Sequence, residues 1–177
     1  MGGIAKGLLK APDSEATLLE RLLAQSRQAE PAAELVLVGE ADAYEAFGLR
    51  MLRDNPVGVG PLGGLLALLE YAESHGASSA LALACDLPYL SGALIGRLAV
   101  DAPHAAALVT RQSGVRNPLV ARYAVAAALP AAHAALLAGK RSLQAVLDEL
   151  GSSVMVLPLD SAEEQSLLDW DTPEDMR

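Results

Sequence analysis

The sequence of 177 residues is poor in cysteine and in positive charge. Its single cysteine, Cys85, excludes an internal disulfide and is compatible with the reducing cytoplasm. The formal net charge of −9 argues against a general nucleic-acid binder, because such proteins carry a basic face. An anionic small-molecule substrate stays compatible with this charge if a metal ion or a few local cations offset it.

Long apolar runs and a leader segment are also lacking. No run approaches the ~20 residues that span a bilayer, although 52% of the chain is hydrophobic. The first residues lack a basic segment followed by an apolar core, so we find no secretory signal. We therefore expect a soluble, cytoplasmic monomer whose residues 1–177 form one domain around a single core.

Short aliphatic runs recur along the chain and predict strands. The clearest is "SALALACDLP" (79–88), and "AELVLVG" (33–39) is rich in valine and ends in glycine. Further strand candidates lie at 49–54, 104–110, 117–123 and 153–160. Because helical segments alternate with these runs, we predict a three-layer α/β/α fold with a mainly parallel sheet.

Capping residues and helical periodicity predict the helices. Asp13 and Ser14 can cap a first helix whose leucines recur at helical spacing from Leu18 onward. Pro130 interrupts an alanine-rich stretch, and we expect it to begin a new helix rather than to lie inside one. The remaining helices are predicted at 60–76, 91–100 and 142–150, and after Thr172.

Three aspartates follow predicted strands, where α/β folds gather their ligands. Asp54, Asp86 and Asp171 each lie at or just beyond a strand end, and a carboxylate there can bind Mg²⁺ and so neutralise phosphate oxygens. The alternative is that each aspartate only caps a turn or helix. Between the first two, "GVGPLGG" (58–64) allows the backbone to approach a ligand or a helix to approach the sheet.

The opening segment "MGGIAKGLLK" has the composition of a phosphate-binding loop. Gly2 and Gly3 would let a polyphosphate approach backbone N–H groups, and Lys6 would supply a neutralising charge. The alternative is an ordinary flexible terminus, since such loops normally follow a buried strand. Two further cations are adjacent in the sequence, Lys140 and Arg141. They are either solvated surface charges or a contact for an anionic acceptor.

Other polar residues give weaker signals. The three histidines lack metal-ligand spacing. Cys85 precedes Asp86 on the strand, so we expect its thiol to point to the opposite face and to be buried and inert.

Several segments occur in the order found in a known family: "MGGIAKGLL", "DNPVGVGPLGGLLALLEYA", "ALACDLPYL", "RNPLVARY", "AGKRSLQAVLDEL" and "DWDTPEDM". The chain therefore resembles the MobA-like nucleotidyltransferases, and among them the guanylyltransferases of molybdenum cofactor biosynthesis. The resemblance implies a Rossmann-like fold and the transfer of GMP from GTP to molybdopterin, with release of pyrophosphate.

The resemblance also implies roles for individual residues. Lys6 would contact the nucleotide phosphates, with Gly2 and Gly3 in the same loop. Asp54 would contact the nucleotide, and Asp86 would bind both the nucleotide and Mg²⁺. Asp171 is offered as a further acidic metal ligand.

The chain departs from the family pattern at both ends. Family members begin with a strand and a longer glycine-rich loop, so we expect the first strand of the sheet to be missing here. Ala5 replaces the usual aspartate before the lysine, and "DWDTPED" replaces the guanylyltransferase pattern "NxNTPED".

Two alternatives for the function therefore stay open. One is an enzyme that uses CTP with molybdopterin, or an NTP with a sugar phosphate or another phosphorylated metabolite; the other is an inactive nucleotide- or partner-binding protein.

Overall fold

The computed structural model describes residues 5–12, 14–39 and 42–168, in which strands and helices alternate. The strands are β1 Val36–Val38, β2 Arg50–Leu52, β3 Ser79–Leu83, β4 Ala107–Gln112, β5 Val115–Ala124 and β6 Val154–Val156. The α-helices are α1 Leu18–Ala29, α2 Pro61–Ser74, α3 Gly92–Val100, α4 Val125–Leu137, α5 Leu143–Leu150 and α6 Ser161–Ser166. Short 3-10 helices lie at Lys6–Leu8, Asp42–Phe47 and Gly151–Ser153. Within the described ranges, no helix has the length and apolar character needed to cross a membrane.

The strands form two sheets. β1 and β2 pair in parallel, and the other four strands lie in the order β3-β5-β4-β6. In this larger sheet β4 and β6 are parallel, whereas β5 runs antiparallel to both of its neighbours. Ser113 and Gly114, at φ values of 49° and 82°, join β4 to β5 in a two-residue turn, and so short a connection can join only antiparallel strands. The sheet is therefore mixed, with β3, β4 and β6 sharing one direction. The prediction that it would be mainly parallel is wrong, because β5 follows β4 through a tight turn.

Alternating side chains of β4 and β5 give the larger sheet a helix layer on each face. Val109 and Tyr123 belong to one buried cluster, which α2, α4 and α5 complete. Leu108 and Val120 belong to another, which contains the buried side of α3 and partly buried residues of α1. Successive residues of a strand point to opposite faces, so these clusters lie on opposite sides of the sheet. The predicted three-layer α/β architecture is confirmed.

Helix α2 packs against strands of both sheets, namely β1, β2 and β3. In the part of the chain that the structure describes, no strand joins the two sheets. The expectation that the first strand of the family's sheet is missing here stays a prediction.

The prediction for Pro130 is wrong, because this residue lies inside α4. Its ring removes one backbone donor from the helix. The helix continues because its buried face, which includes Ala128, Ala132 and Ala135, packs against α2 and α5. Tertiary packing of an apolar face supplies most of a helix's stability in a folded protein.

The predicted cap of α1 is also wrong. Its N-cap is Thr17, whose hydroxyl accepts a hydrogen bond from Glu20 N, while the Glu20 carboxylate accepts one from Thr17 N. This reciprocal pair satisfies two backbone donors of the first turn. Ser14 instead accepts a bond from Ala16 N in the preceding turn, and Asp13 lies outside the described residues.

Candidate active site

Lys6 and Asp86, identified separately in the sequence, form an ion pair. Lys6 Nζ donates a hydrogen bond to Asp86 Oδ2 over 3.0 Å. Lys6 begins the 3-10 helix Lys6–Leu8, and Asp86 lies just beyond the end of β3. The two side chains are 30% and 22% exposed, so a bound anion can reach them.

Tyr44 lies beside this pair and was not anticipated from the sequence. Its hydroxyl accepts a hydrogen bond from Gly7 N over 3.1 Å. Burial is the largest cause that raises the pKa of Tyr44, and the neighbouring Cys85 raises it further. Burial and the negative charge of Asp86 likewise raise the pKa of Cys85, which keeps the thiol protonated. Cys85 is partly buried and lies beside Tyr44 and Asp86, so its thiol is not turned away from the pair as expected.

Asp54 lies against the glycine-rich turn that begins α2. A Cβ atom added to Gly64 would lie 3.3 Å from Asp54 Oδ1, and one added to Gly63 would lie 2.7 Å from the carbonyl oxygen of Pro56. Asn55 N donates a hydrogen bond to the carbonyl oxygen of Gly63 over 3.0 Å, which ties the two segments together. Glycine is required at position 63, where a side chain would clash with the backbone of Pro56, and the small Gly64 lets the helix lie close to Asp54.

An open groove of about 490 Å³ lies near the start of α2. It is lined by Pro61, Pro118, Leu119, Arg141, Ser142, Leu143 and Gln144. Most of this surface is apolar, and Arg141 is the one cation among the described residues that line it. Lys140, its neighbour in sequence, is instead paired with Glu149, since Lys140 Nζ lies 2.8 Å from Glu149 Oε1.

Three of the predicted site residues cannot be placed. Gly2, Gly3 and Asp171 lie outside the described residues, as does Thr172. Among the residues that are described, no group of three or more His, Cys, Asp or Glu side chains could hold a metal ion.

The histidines make structural contacts. The His133 ring lies 3.2 Å from Glu70 Oε1, and the other oxygen of Glu70 accepts a hydrogen bond from Asn55 Nδ2 over 2.7 Å. His75 stacks on Tyr71 with ring centroids 4.0 Å apart. The network through Glu70 links the Asp54 loop to α2 and α4, and no motif in the sequence indicated it.

Comparison with known proteins tests the resemblance to the MobA-like family. Residues 1–154 match the MobA-like NTP transferase domain. The chain belongs to this family. The resemblance predicted from the ordered motifs is therefore confirmed.

Two relatives align with this MobA-like chain over most of its length and most of their own. It is 31% identical over 162 residues to a protein of Opitutus terrae named "Probable molybdenum cofactor guanylyltransferase", covering 90% of this chain and 79% of that protein. It is 30% identical over 167 residues to the "Molybdenum cofactor guanylyltransferase" of Rhodobacter capsulatus, covering 93% and 82%.

A solved structure has the same fold as this MobA-like chain. It is the "Molybdopterin-guanine dinucleotide biosynthesis protein A" of Archaeoglobus fulgidus, which superposes with a TM-score of 0.74 at 22% identity and covers 98% of this chain and 88% of that one. The nucleotidyltransferase fold predicted from the sequence is confirmed.

Proposed function

We propose that this MobA-like protein transfers GMP from GTP to the phosphate of molybdopterin and releases pyrophosphate. The contact between Lys6 and Asp86 is the observation that carries the proposal. It unites a cation suited to phosphate oxygens with a carboxylate at the end of a buried strand. The names borne by the relatives from Opitutus terrae and Rhodobacter capsulatus support this acceptor.

The proposed reaction needs no covalent enzyme intermediate. The acceptor phosphate attacks the α-phosphorus of GTP in line, a new P–O bond forms, and pyrophosphate leaves with the electron pair of the bond that breaks. The ammonium of Lys6 stabilises the negative charge on the transferring and leaving phosphates. Catalysis then consists of positioning and electrostatic stabilisation.

Asp86 fits the role of a magnesium ligand. Mg²⁺ in nucleotide sites is held by one or two carboxylates together with phosphate oxygens and water, so a cluster of three acidic side chains is not required. The contact with Lys6 involves Oδ2 of Asp86, and a carboxylate has two oxygens with about four acceptor positions. Asp86 would hold Mg²⁺ there, and the ion would supply positive charge that offsets the charge of the phosphates. Asp171 stays a proposed second ligand.

Asp54 and the glycine turn form the proposed nucleotide-binding side. The close packing of Gly63 and Gly64 fixes the loop that carries the Asp54 carboxylate. A carboxylate held in this way can accept hydrogen bonds from the ribose or the base of a nucleotide.

The groove beside Arg141 forms the proposed acceptor side. Its prolines and leucines offer an apolar surface for a flat heterocycle, and the guanidinium of Arg141 suits the single phosphate of such an acceptor. Pro61 lines this groove and also begins α2, so the groove is continuous with the helix whose next turn packs on Asp54.

The test is a comparison of nucleotides. We expect the protein to form a dinucleotide from molybdopterin and α-labelled GTP in the presence of Mg²⁺, and to prefer GTP to CTP. A thermal-shift assay gives a second measurement, because a ligand at 100 times its dissociation constant stabilises a protein by about 2.7 kcal/mol.

"DWDTPED" favours one competing outcome, since it departs from the guanylyltransferase pattern. Faster turnover and a larger thermal shift with CTP would identify a cytidylyltransferase instead. Nucleotide binding without turnover of either substrate would support the binding-protein alternative.

A further inference from the structure

We propose that Tyr44 is a positioning residue that fixes the Lys6 turn to the end of β3, so that Lys6 and Asp86 keep their relative placement when phosphates bind. This inference rests on the proposed function of that pair. Tyr44 lies in the 3-10 helix Asp42–Phe47, between β1 and β2, and so reaches the site from a third part of the chain.

The first contact of Tyr44 is with the turn that carries Lys6. Gly7 N donates to the Tyr44 hydroxyl over 3.1 Å. A Cβ atom added to Gly7 would lie 3.0 Å from that hydroxyl and 3.2 Å from Cε1 of the ring. The tyrosine ring therefore packs directly on the backbone next to Lys6, and the absence of a side chain at Gly7 makes this approach possible.

The second contact of Tyr44 is with Cys85, which immediately precedes Asp86. A phenolic hydroxyl has one hydrogen to donate and lone pairs to accept with. Since it accepts from Gly7 N, its own hydrogen is available for the sulfur of Cys85. The hydroxyl is thus placed to link the two segments that supply the charged pair.

The ring of Tyr44 is itself restrained. It meets Phe47 in an edge-to-face contact, with centroids 6.3 Å apart and planes at 61°. Such aromatic pairs have a preferred geometry, so the hydroxyl is directed by packing rather than left to rotate freely. A fixed hydroxyl limits the movement of the Lys6 ammonium relative to Asp86, and small misplacements of a charged group reduce catalysis strongly.

The test combines Tyr44→Phe with Lys6→Ala. Tyr44→Phe keeps the ring and removes only the hydroxyl, and losing one hydrogen bond should weaken GTP binding about three- to tenfold. Tyr71→Phe is the matched control, because it also removes a single tyrosine hydroxyl, one that donates to the Glu34 carboxylate on an exposed surface. Calorimetric titration with GTP and with guanosine measures binding, and thermal unfolding checks that each variant folds.

The proposal makes a specific statement about coupling. If Tyr44 acts through Lys6, its removal should weaken GTP binding but not guanosine binding, and should have no further effect in the Lys6→Ala background. Equal losses for GTP and guanosine, or additive effects of the two substitutions, would overturn the positioning role.

Hydrogen exchange of the Gly7 amide separates this proposal from the proposed function, because it needs no nucleotide. Exchange should be faster in Tyr44→Phe than in the wild type or in Tyr71→Phe, and unchanged exchange would overturn the contact. If the wild type binds no nucleoside triphosphate, the proposed function and the role of Tyr44 in it both fail, even when the exchange result holds.

Discussion

The Lys6–Asp86 pair and the groove beside Arg141 differ in how their charges are arranged. In the pair, a cation and a carboxylate are in contact, 3.0 Å apart and partly shielded from solvent. In the groove, the cation Arg141 lies among mostly apolar side chains, and none of the lining residues that the structure describes is acidic. A cation already balanced by a carboxylate suits a ligand that brings its own metal ion, such as a magnesium-bound triphosphate. A cation in an apolar groove suits a single phosphate on an apolar body.

Under the proposed function, the nucleotide binds at the pair and the acceptor binds in the groove. Substitutions in the pair should then change nucleotide binding and turnover, and substitutions in the groove should change only the binding of the acceptor.

Asp86→Asn should reduce turnover by about 10²-fold or more. The amide lacks the negative charge that is expected to hold Mg²⁺ and that balances the charge of Lys6. The fold should survive, since the ion pair is partly exposed and contributes little to stability. Steady-state kinetics at several Mg²⁺ concentrations and a thermal melt give the two measurements. Near-normal turnover at saturating Mg²⁺ would remove Asp86 from this role.

Lys6→Ala should weaken binding of GTP by roughly ten- to a hundredfold while leaving guanosine binding nearly unchanged. The reason is that its charge is assigned to the phosphates, and charge-assisted hydrogen bonds are worth about 1.5–3 kcal/mol. Calorimetric titration with both ligands measures the difference, with Lys10→Ala as the control, because Lys10 pairs with Glu15 on an exposed surface. Equal losses for the two ligands would contradict the assignment.

The sequence predicted which charged residues are candidates for the site, but it did not predict how they are arranged. Asp86 could be predicted because it follows the most apolar strand, and Lys6 because a lone cation stands among small residues. Their contact joins residues 80 positions apart and depends on how the Lys6 turn packs against the end of β3. No local pattern contains that information.

Tyr44 and Pro130 show two further reasons for failure. Tyr44 belongs to no sequence motif, and nothing in its spacing distinguishes it from an ordinary surface aromatic. Only the folded chain brings its hydroxyl to Gly7. Pro130 was assigned from an intrinsic preference of proline, and the packing of α4 against its neighbours overrode that preference. The cap at Thr17 was available in the sequence as the pattern Thr-x-x-Glu, which is a recognised helix start.

Arg141→Ala should raise the KM for the acceptor by a few-fold to about tenfold and leave the KM for GTP unchanged, because an exposed guanidinium contributes a charge-assisted contact to one phosphate. Lys140→Ala is the matched control: it removes an adjacent cation that is paired with Glu149 and does not line the groove. Kinetics with each substrate varied in turn separate the two constants. The division between the two sides would be wrong if Arg141→Ala raised the KM for GTP instead, or if Lys140→Ala affected the acceptor equally.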